Sequence, residues 1–151
     1  MPKTHKRAGR APHPEAKFPS QVVAANIKSL RALRDDMSQE ELADRMRHLH
    51  YPWSRATVSE IERGDRNLTV DEFASLAIAL NAKPTELLDP ERQGVALDFG
   101  MTGPLNKINA IAWARGGLRV GVVVDEQGEW QYAFERTSNL LEYRFPQEQE
   151  L

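Results

Sequence analysis

The sequence predicts a mainly α-helical fold, with five short helices over residues 20–90 and a small α+β region after them. Two observations lead to this prediction. From Ser20 to Leu88, apolar residues repeat at spacings of three and four, which is typical of amphipathic helices. After Pro90 the pattern changes to two alternating runs rich in β-forming residues. The 151 residues, of which 40% are hydrophobic, suffice for one compact domain and a smaller accessory unit.

Capping residues indicate where the helices begin. Ser38 and Glu41 have the spacing of a capping box, in which each side chain bonds the backbone amide of the other residue, and so do Thr69 and Glu72. A helix is therefore expected to begin at Gln39, and another directly after Thr69. Three further helix starts are predicted, at Ser20, Ser54 and Pro84.

The region after Pro90 is predicted to contain a helix over residues 106–115 and strands over residues 118–124 and 129–135. The turn between these strands, residues 125–128, is a strong hairpin signal. A third strand would come from a further alternating set, Leu141, Tyr143 and Phe145. We therefore expect an antiparallel β-hairpin or a three-stranded sheet. Three aromatic residues fall on one face of the hairpin: Trp130, Tyr132 and Phe134. A lone hairpin is marginal in water, so this face needs a packing partner in the chain or in a second copy.

Charge is distributed unevenly along the chain, although the net charge is only -2. Residues 1–19 carry 5 basic side chains and 1 acidic one, residues 20–90 carry 9 and 12, and residues 91–151 carry 6 and 9. The first segment also contains prolines and few apolar residues, so it is expected to be a disordered basic N-terminal arm. The predicted organisation is thus an arm, a helical domain over residues 20–90 and a small α+β C-terminal region over residues 91–151.

Composition argues against several classes of function. There are 0 cysteines, so disulfides and thiolate metal sites are excluded. No apolar run approaches the ~18 residues that cross a bilayer, and the N-terminus lacks the apolar stretch of a secretion signal. His48 and His50 share a loop without a third metal ligand, and no phosphate-binding glycine loop is present. We therefore expect a cytoplasmic, nucleoid-associated protein with no membrane contact, no metal, no cofactor and no catalytic residue.

A family resemblance is carried by three segments in order, NIKSLRALRDDMSQEELADRM, SRATVSEIERG and LTVDEFASLAIALNAKPTELL. They resemble the helix-turn-helix family of phage repressor and Cro proteins, the Xre-like regulators, over roughly residues 22–89. The capped Gln-x-Glu-Leu-Ala start, the Ser-x-x-Thr/Ser-hydrophobic segment, Glu-x-Gly and the distal Leu-Ala-x-x-Leu occur together and in the family's order. The resemblance implies a five-helix, repressor-type helix-turn-helix domain that inserts helix 54–63 into the major groove of an operator.

The resemblance also implies which residues contact DNA. Gln39, at the start of the second helix, matches a side chain that binds a phosphate. Arg55, Ala56 and Glu60 match positions that face base edges, where they suit guanine, a thymine methyl group and cytosine respectively. The other candidates lie beside these positions or follow the helix toward the phosphates: Ser54, Thr57, Ser59, Arg63, Arg66 and Asn67. Arg31 is expected to pair with Glu62, which would be a structural contact.

The turn before the third helix is longer than usual. Helix-turn-helix units normally connect their two helices through three or four residues, whereas residues 47–53 stand between them here. Because Ser54 is the expected cap, Trp53 and Val58 have the spacing of a hydrophobic staple. The surplus, residues 47–51, is expected to lengthen the second helix by a turn or to form a bulging loop.

Taken together, these features predict a sequence-specific DNA-binding transcriptional regulator. It is expected to be a repressor that binds a double-stranded DNA operator as a homodimer, aided by the basic arm. Two other classes stay open. One is an antitoxin-like regulator whose C-terminal region binds a protein partner. The other is a small-molecule-sensing regulator, with its ligand beneath the aromatic face of the hairpin.

Overall fold

A computed structural model describes residues 16–100 and 104–136. Most of the predicted arm and the predicted third strand lie outside these residues. The predicted fold class is confirmed, since five helices precede an α+β region with an antiparallel hairpin. The elements are β1 (Ala16–Lys17), α1 (Pro19–Leu33), α2 (Gln39–His48), α3 (Arg55–Glu62), α4 (Val70–Ala79), α5 (Pro84–Leu88), a 3-10 turn (Pro90–Gln93), β2 (Ala96–Leu97), α6 (Lys107–Ala114), β3 (Leu118–Val124) and β4 (Trp130–Arg136).

Both predicted capping boxes are present. The Glu41 amide donates to Ser38 Oγ over 3.1 Å, and the Ser38 amide donates to Glu41 Oε2 over 2.6 Å. The second of these bonds, from the Ser38 backbone, is the main reason that the pKa of Glu41 is lowered. At α4 the corresponding bonds between Thr69 and Glu72 measure 3.1 and 2.9 Å. Local side-chain chemistry therefore determines where α2 and α4 begin.

Helices α1 to α5 enclose one hydrophobic cluster, here called the N-terminal core. Its largest members are Ile27, Leu30, Leu42, Met46, Val58, Ile61, Leu76, Leu80 and Leu87. A wholly buried amide, Asn26, joins α1 to the end of α5, because its Nδ2 lies within hydrogen-bond distance of the carbonyl oxygens of Glu86, Leu87 and Asp89. Its Oδ1 accepts from Gln93. The first and fifth helices are thus held together by polar as well as apolar contacts.

A second cluster, the C-terminal core, forms around α6. Its buried members are Val22, Leu97, Leu105, Ala110 and Leu118. Phe99 and Trp113 pack beside it edge to face, with ring centroids 4.7 Å apart. Since Val22 belongs to α1, that helix contributes to both cores and supports the C-terminal region. The predicted boundaries at residues 20–90 and 91–151 remain a prediction.

Residues 16–19 belong to the fold, whereas the predicted disordered arm extended to residue 19. Ala16 is buried, and β1 pairs in parallel with β2, opposite Ala96. The Asp98 amide extends the pairing by donating to the Lys17 carbonyl over 2.9 Å. The partner strand lies about eighty residues further along the chain, so the composition of the arm alone could not reveal this pairing.

Strands β3 and β4 form the predicted antiparallel hairpin, with Val124 opposite Trp130 and Leu118 opposite Arg136. Gly128 adopts φ +82° in its turn, a conformation that favours glycine. Only the base of the hairpin joins the C-terminal core, through Leu118 and Val120. In the described part of the chain, no helix is long and apolar enough to span a bilayer.

Candidate nucleic-acid interface

Helix α3 is capped and anchored so that one face points outward. Ser54 accepts from the Thr57 amide over 3.2 Å, as predicted for the cap, and the Ser54 amide donates to the Thr57 hydroxyl over 3.3 Å. Val58 and Ile61 are almost completely buried in the N-terminal core. Since these two residues face inward, the opposite side of the helix faces solvent.

Three residues on that outward side match the predicted reading positions. Arg55, Ala56 and Glu60 are all exposed. Within the described residues, no hydrogen bond or ion pair holds the side chain of Arg55 or of Glu60. Their polar groups are therefore available to a ligand. The half-buried Thr57 is engaged in the cap, and the hydroxyl of Ser59 accepts from Arg63 Nη1 over 2.6 Å.

The expected pair of Arg31 and Glu62 is present and includes the predicted phosphate ligand Gln39. Arg31 Nε and Glu62 Oε1 are 2.6 Å apart, and the two side chains are only 13% and 6% exposed. Gln39 Nε2 donates to the other carboxylate oxygen over 2.8 Å. Arg31 also donates to the Met37 carbonyl over 2.6 Å. This network joins α1, α2 and α3, and it fixes the amide of Gln39 at the N-terminus of α2.

The two arginines that follow α3 are bound differently. Arg63 donates to Asp65 over 2.8 Å and to Ser59, and its side chain is 59% exposed. Arg66 donates to Glu72 over 2.7 Å, and its guanidinium lies 5.6 Å from the ring centroid of Trp53. Arg63 can exchange its partners at the surface, whereas Arg66 is bound to a buried carboxylate. Asn67, next along the chain, is exposed.

Glu72 is the centre of a polar network that the sequence did not predict beyond its capping role. The carboxylate accepts from Trp53 Nε1 over 3.2 Å, from Arg66 and from the Thr69 amide. Burial by itself would raise the pKa of Glu72, but these three donors outweigh burial and lower the pKa. The network connects the loop before α3 to the start of α4 and so supports the reading helix from behind.

The long turn combines the two expected forms. Helix α2 extends to His48, and a loop follows in which His50 has φ +67°. Arg47 closes this loop, because it donates to the Trp53 carbonyl and pairs with Glu40 and Asp44. Hydrogen bonds to these carboxylates, with Glu40 the larger cause, raise the pKa of Arg47. Trp53 is buried in the same core as Val58, as the predicted staple requires.

Comparison with known proteins gives the same identification as the motifs. The model of a helix-turn-helix family matches residues 27–87. The control protein C.BamHI of Bacillus amyloliquefaciens is 38% identical over 63 residues, which are 42% of this chain and 72% of that protein. The control protein C.SmaI of Serratia marcescens is 35% identical over 80 residues, 53% of this chain and 86% of that protein. The chain belongs to the Xre-like, phage repressor/Cro-type helix-turn-helix family.

This protein is thus a DNA-binding transcriptional regulator of a family whose members are generally not enzymes. Two solved structures are similar to it. The clp gene regulator ClgR from C. glutamicum is 27% identical, with 54% of this chain and 99% of that chain covered and a TM-score of 0.45. The restriction-modification controller protein C.AhdI from Aeromonas hydrophila is 32% identical, with 45% and 91% covered and a TM-score of 0.38. All ten predicted contact residues fall within the family match, and the hairpin lies outside it.

Proposed function

We propose that this regulator is a repressor that binds an operator in double-stranded DNA as a homodimer, with α3 of each copy in the major groove. The observation that carries the proposal is the outward side of α3. There, Arg55 and Glu60 are exposed, and in the described part of the chain neither has a side-chain partner. Val58 and Ile61 hold the helix from its other side. A short, anchored helix with unoccupied polar groups suits direct reading of base edges.

Each outward residue is assigned one contact in the groove. Arg55 donates two hydrogen bonds to guanine O6 and N7, the Ala56 methyl group contacts a thymine methyl group, and Glu60 accepts from cytosine N4. Ser54, Thr57 and Ser59 lie beside these positions. Of the three main readers, Arg55 supplies the largest discrimination, because a bidentate contact is worth about 1–3 kcal/mol against the wrong base.

The phosphate contacts flank the reading helix. Gln39 is held by Glu62 at the N-terminus of α2, where free backbone amides attract the same anion. Arg63 releases Asp65 when it binds a phosphate, and Asn67 binds beside it. Arg66 keeps its bond to Glu72 and adds positive charge near the backbone. Such contacts give affinity without sequence preference, as does the basic arm.

The dimer determines the form of the operator. Two copies that each place α3 in the major groove of one DNA face hold these helices about 34 Å apart, so the operator is a near-palindrome. Repression requires only that the occupied operator overlaps a promoter. The small α+β C-terminal region, residues 91–151, mediates assembly in this proposal.

Selection of bound sequences from random DNA tests this function, with the full chain as bait and Arg55→Ala as the matched variant. We expect a near-palindromic site with half-sites one helical turn apart, and we expect Arg55→Ala to lose preference at one position of each half-site. Addition of the protein should then lower transcription from a promoter that carries the site. Absence of enrichment would contradict sequence-specific binding, and an enriched site without symmetry would contradict the dimer.

A further inference from the structure

The distal half of the hairpin exposes an apolar face. Val122, Val124, Trp130 and Phe134 are 61%, 52%, 74% and 52% exposed, and the strand register places them on one side of the sheet. The same side at the base of the hairpin is packed in the C-terminal core through Leu118. Large apolar residues are thus covered at one end of this face, here called the hairpin face, and exposed to solvent at the other.

The opposite side of the hairpin has a different composition. It carries Arg119, Gly121, Val123, Gln131, Ala133 and Glu135. Arg119 and Glu135 form an exposed ion pair 3.4 Å apart. This side is therefore suited to water, whereas a contiguous exposed apolar patch on a soluble protein marks an interaction surface.

Charge along the hairpin indicates what covers the hairpin face. The turn carries Asp125, Glu126 and Glu129, and the base carries Arg136 on the side of the hairpin face. Asp125 is occupied by bonds within the turn, but among the described residues Glu126 has no side-chain partner, and Arg136 bonds only the neutral amide of Asn109. The hairpin thus has an acidic end and a basic end. The acidic turn would be repelled by phosphate, which argues against DNA as the occupant.

We infer that the hairpin face binds the hairpin face of a second copy of this chain, with the two hairpins antiparallel. Strands of 7 residues span roughly 20 Å, so a two-fold axis near their middle places the acidic turn of each copy beside Arg136 of the other. A parallel arrangement would bring like charges together. This inference deepens the proposed function, because it rests on the homodimer proposed there and identifies the surface that forms it.

The size of the face determines the strength of the dimer. Four half-exposed or more exposed side chains form an apolar area of a few hundred Å² on each copy, which is near the lower limit for a specific interface when doubled. The dimer is therefore in measurable equilibrium with single chains. Trp130, the largest and most exposed of the four, is the anchor that dominates the affinity.

Sedimentation equilibrium of the full chain over a wide range of concentration tests the surface with a matched pair of variants. Val122→Thr and Val123→Thr make the same isosteric change at neighbouring residues on opposite sides of β3, so both preserve β-propensity. We expect Val122→Thr to weaken the dimer about tenfold or more, since two hydroxyl groups are buried per dimer, and Val123→Thr to change it by less than about twofold. Trp130→Ala should weaken it about a hundredfold.

Charge reversal tests the antiparallel arrangement. Glu126→Lys and Arg136→Glu should each weaken the dimer by about fivefold, and the double variant should restore it, because each reversed residue faces the other's reversed partner. Circular dichroism checks that each variant remains folded. Restoration would not be expected if the two residues never met across the interface.

Three results would overturn the inference, and they separate it from the proposed function. A dimer equally insensitive to Val122→Thr and Val123→Thr would place the interface elsewhere and leave the proposed homodimer standing. A single-chain mass at every concentration, both free and on the selected DNA, would remove the dimer itself. A single-chain mass with the fluorescence of Trp130 protected from a soluble quencher, compared with Trp130→Phe, would indicate that residues 137–151 cover the face instead.

Discussion

The five-helix unit and the hairpin treat similar side chains in opposite ways. Trp53 is 3% exposed, and its indole N–H donates to Glu72, whereas Trp130 is 74% exposed. The ion pairs differ in the same way, because Glu62 is 6% exposed beside Arg31, while Arg119 and Glu135 are 73% and 68% exposed. The helical unit satisfies its apolar and polar groups within one chain. The hairpin leaves its distal apolar groups uncovered, and we infer that a second copy covers them.

The same truncation at the two tryptophans should give the largest contrast. We expect Trp53→Ala to lower the free energy of unfolding by about 3–5 kcal/mol, because it creates a cavity and leaves Glu72 without a donor. Trp130→Ala should change it by only about 0.5 kcal/mol at a concentration where the chain is monomeric. Urea denaturation followed by circular dichroism measures both. Equal losses would mean that the hairpin is as integral to the single-chain fold as the long turn.

A smaller contrast should appear at two glutamates. We expect Glu72→Gln to lower the free energy of unfolding at neutral pH by about 1–3 kcal/mol, since a neutral amide cannot accept from Trp53, Arg66 and Thr69 together. Glu135→Gln is the matched control, because its only partner is the exposed Arg119. It should change stability by less than about 0.5 kcal/mol.

The effect of Glu72 should also depend on pH in one direction. Its pKa in the folded chain is lowered from the ordinary value of 4.5, so its stabilising contribution is complete above that value and is lost as pH falls through the folded pKa. The difference in stability between the native chain and Glu72→Gln should therefore shrink in acid. A difference that stayed constant from pH 7 to about pH 3 would show that the carboxylate charge contributes nothing.

Local patterns predicted the helix boundaries well, because caps depend on residues three apart in the chain. Ser38 with Glu41 and Thr69 with Glu72 act within one turn of helix, so the sequence alone identified both helix starts. The network at Glu72 was missed because it depends on a distant partner. Trp53 lies nineteen residues before Glu72, and no periodicity connects them.

The candidate interface was predicted unevenly for the same reason. Alternation and helical spacing identified which residues share a face, so the outward position of Arg55 and the one-sided apolar character of the hairpin could both be predicted. They did not reveal how the other basic residues are bound. Arg47 and Arg66 are held by carboxylates that only the folded chain brings near them. Pairing of β1 with β2 was likewise invisible, since it joins the two ends of the described fold.

The exposed face of α3 can be set against the hairpin by replacing arginines. We expect Arg55→Ala to weaken specific binding by about 1–3 kcal/mol and to relax one operator position, because a bidentate base contact is lost. Arg92→Ala is the control, as Arg92 is comparably charged but lies in the turn after α5. Titration of the selected operator by fluorescence anisotropy measures both. Unchanged affinity and footprint for Arg55→Ala would remove this residue from the proposed reading face.

The smallest effect is expected where an arginine already has partners within the protein. Arg63 must give up Ser59 and Asp65 to bind a phosphate, so the net gain on DNA is partly offset by the bonds it loses. Arg63→Ala should weaken binding to the operator and to random DNA by the same factor, about threefold, and should reduce the slope of log affinity against log salt by about 1. A change in sequence preference without a change in slope would instead assign Arg63 to a base, and the distinction between free and paired arginines on this surface would then fail.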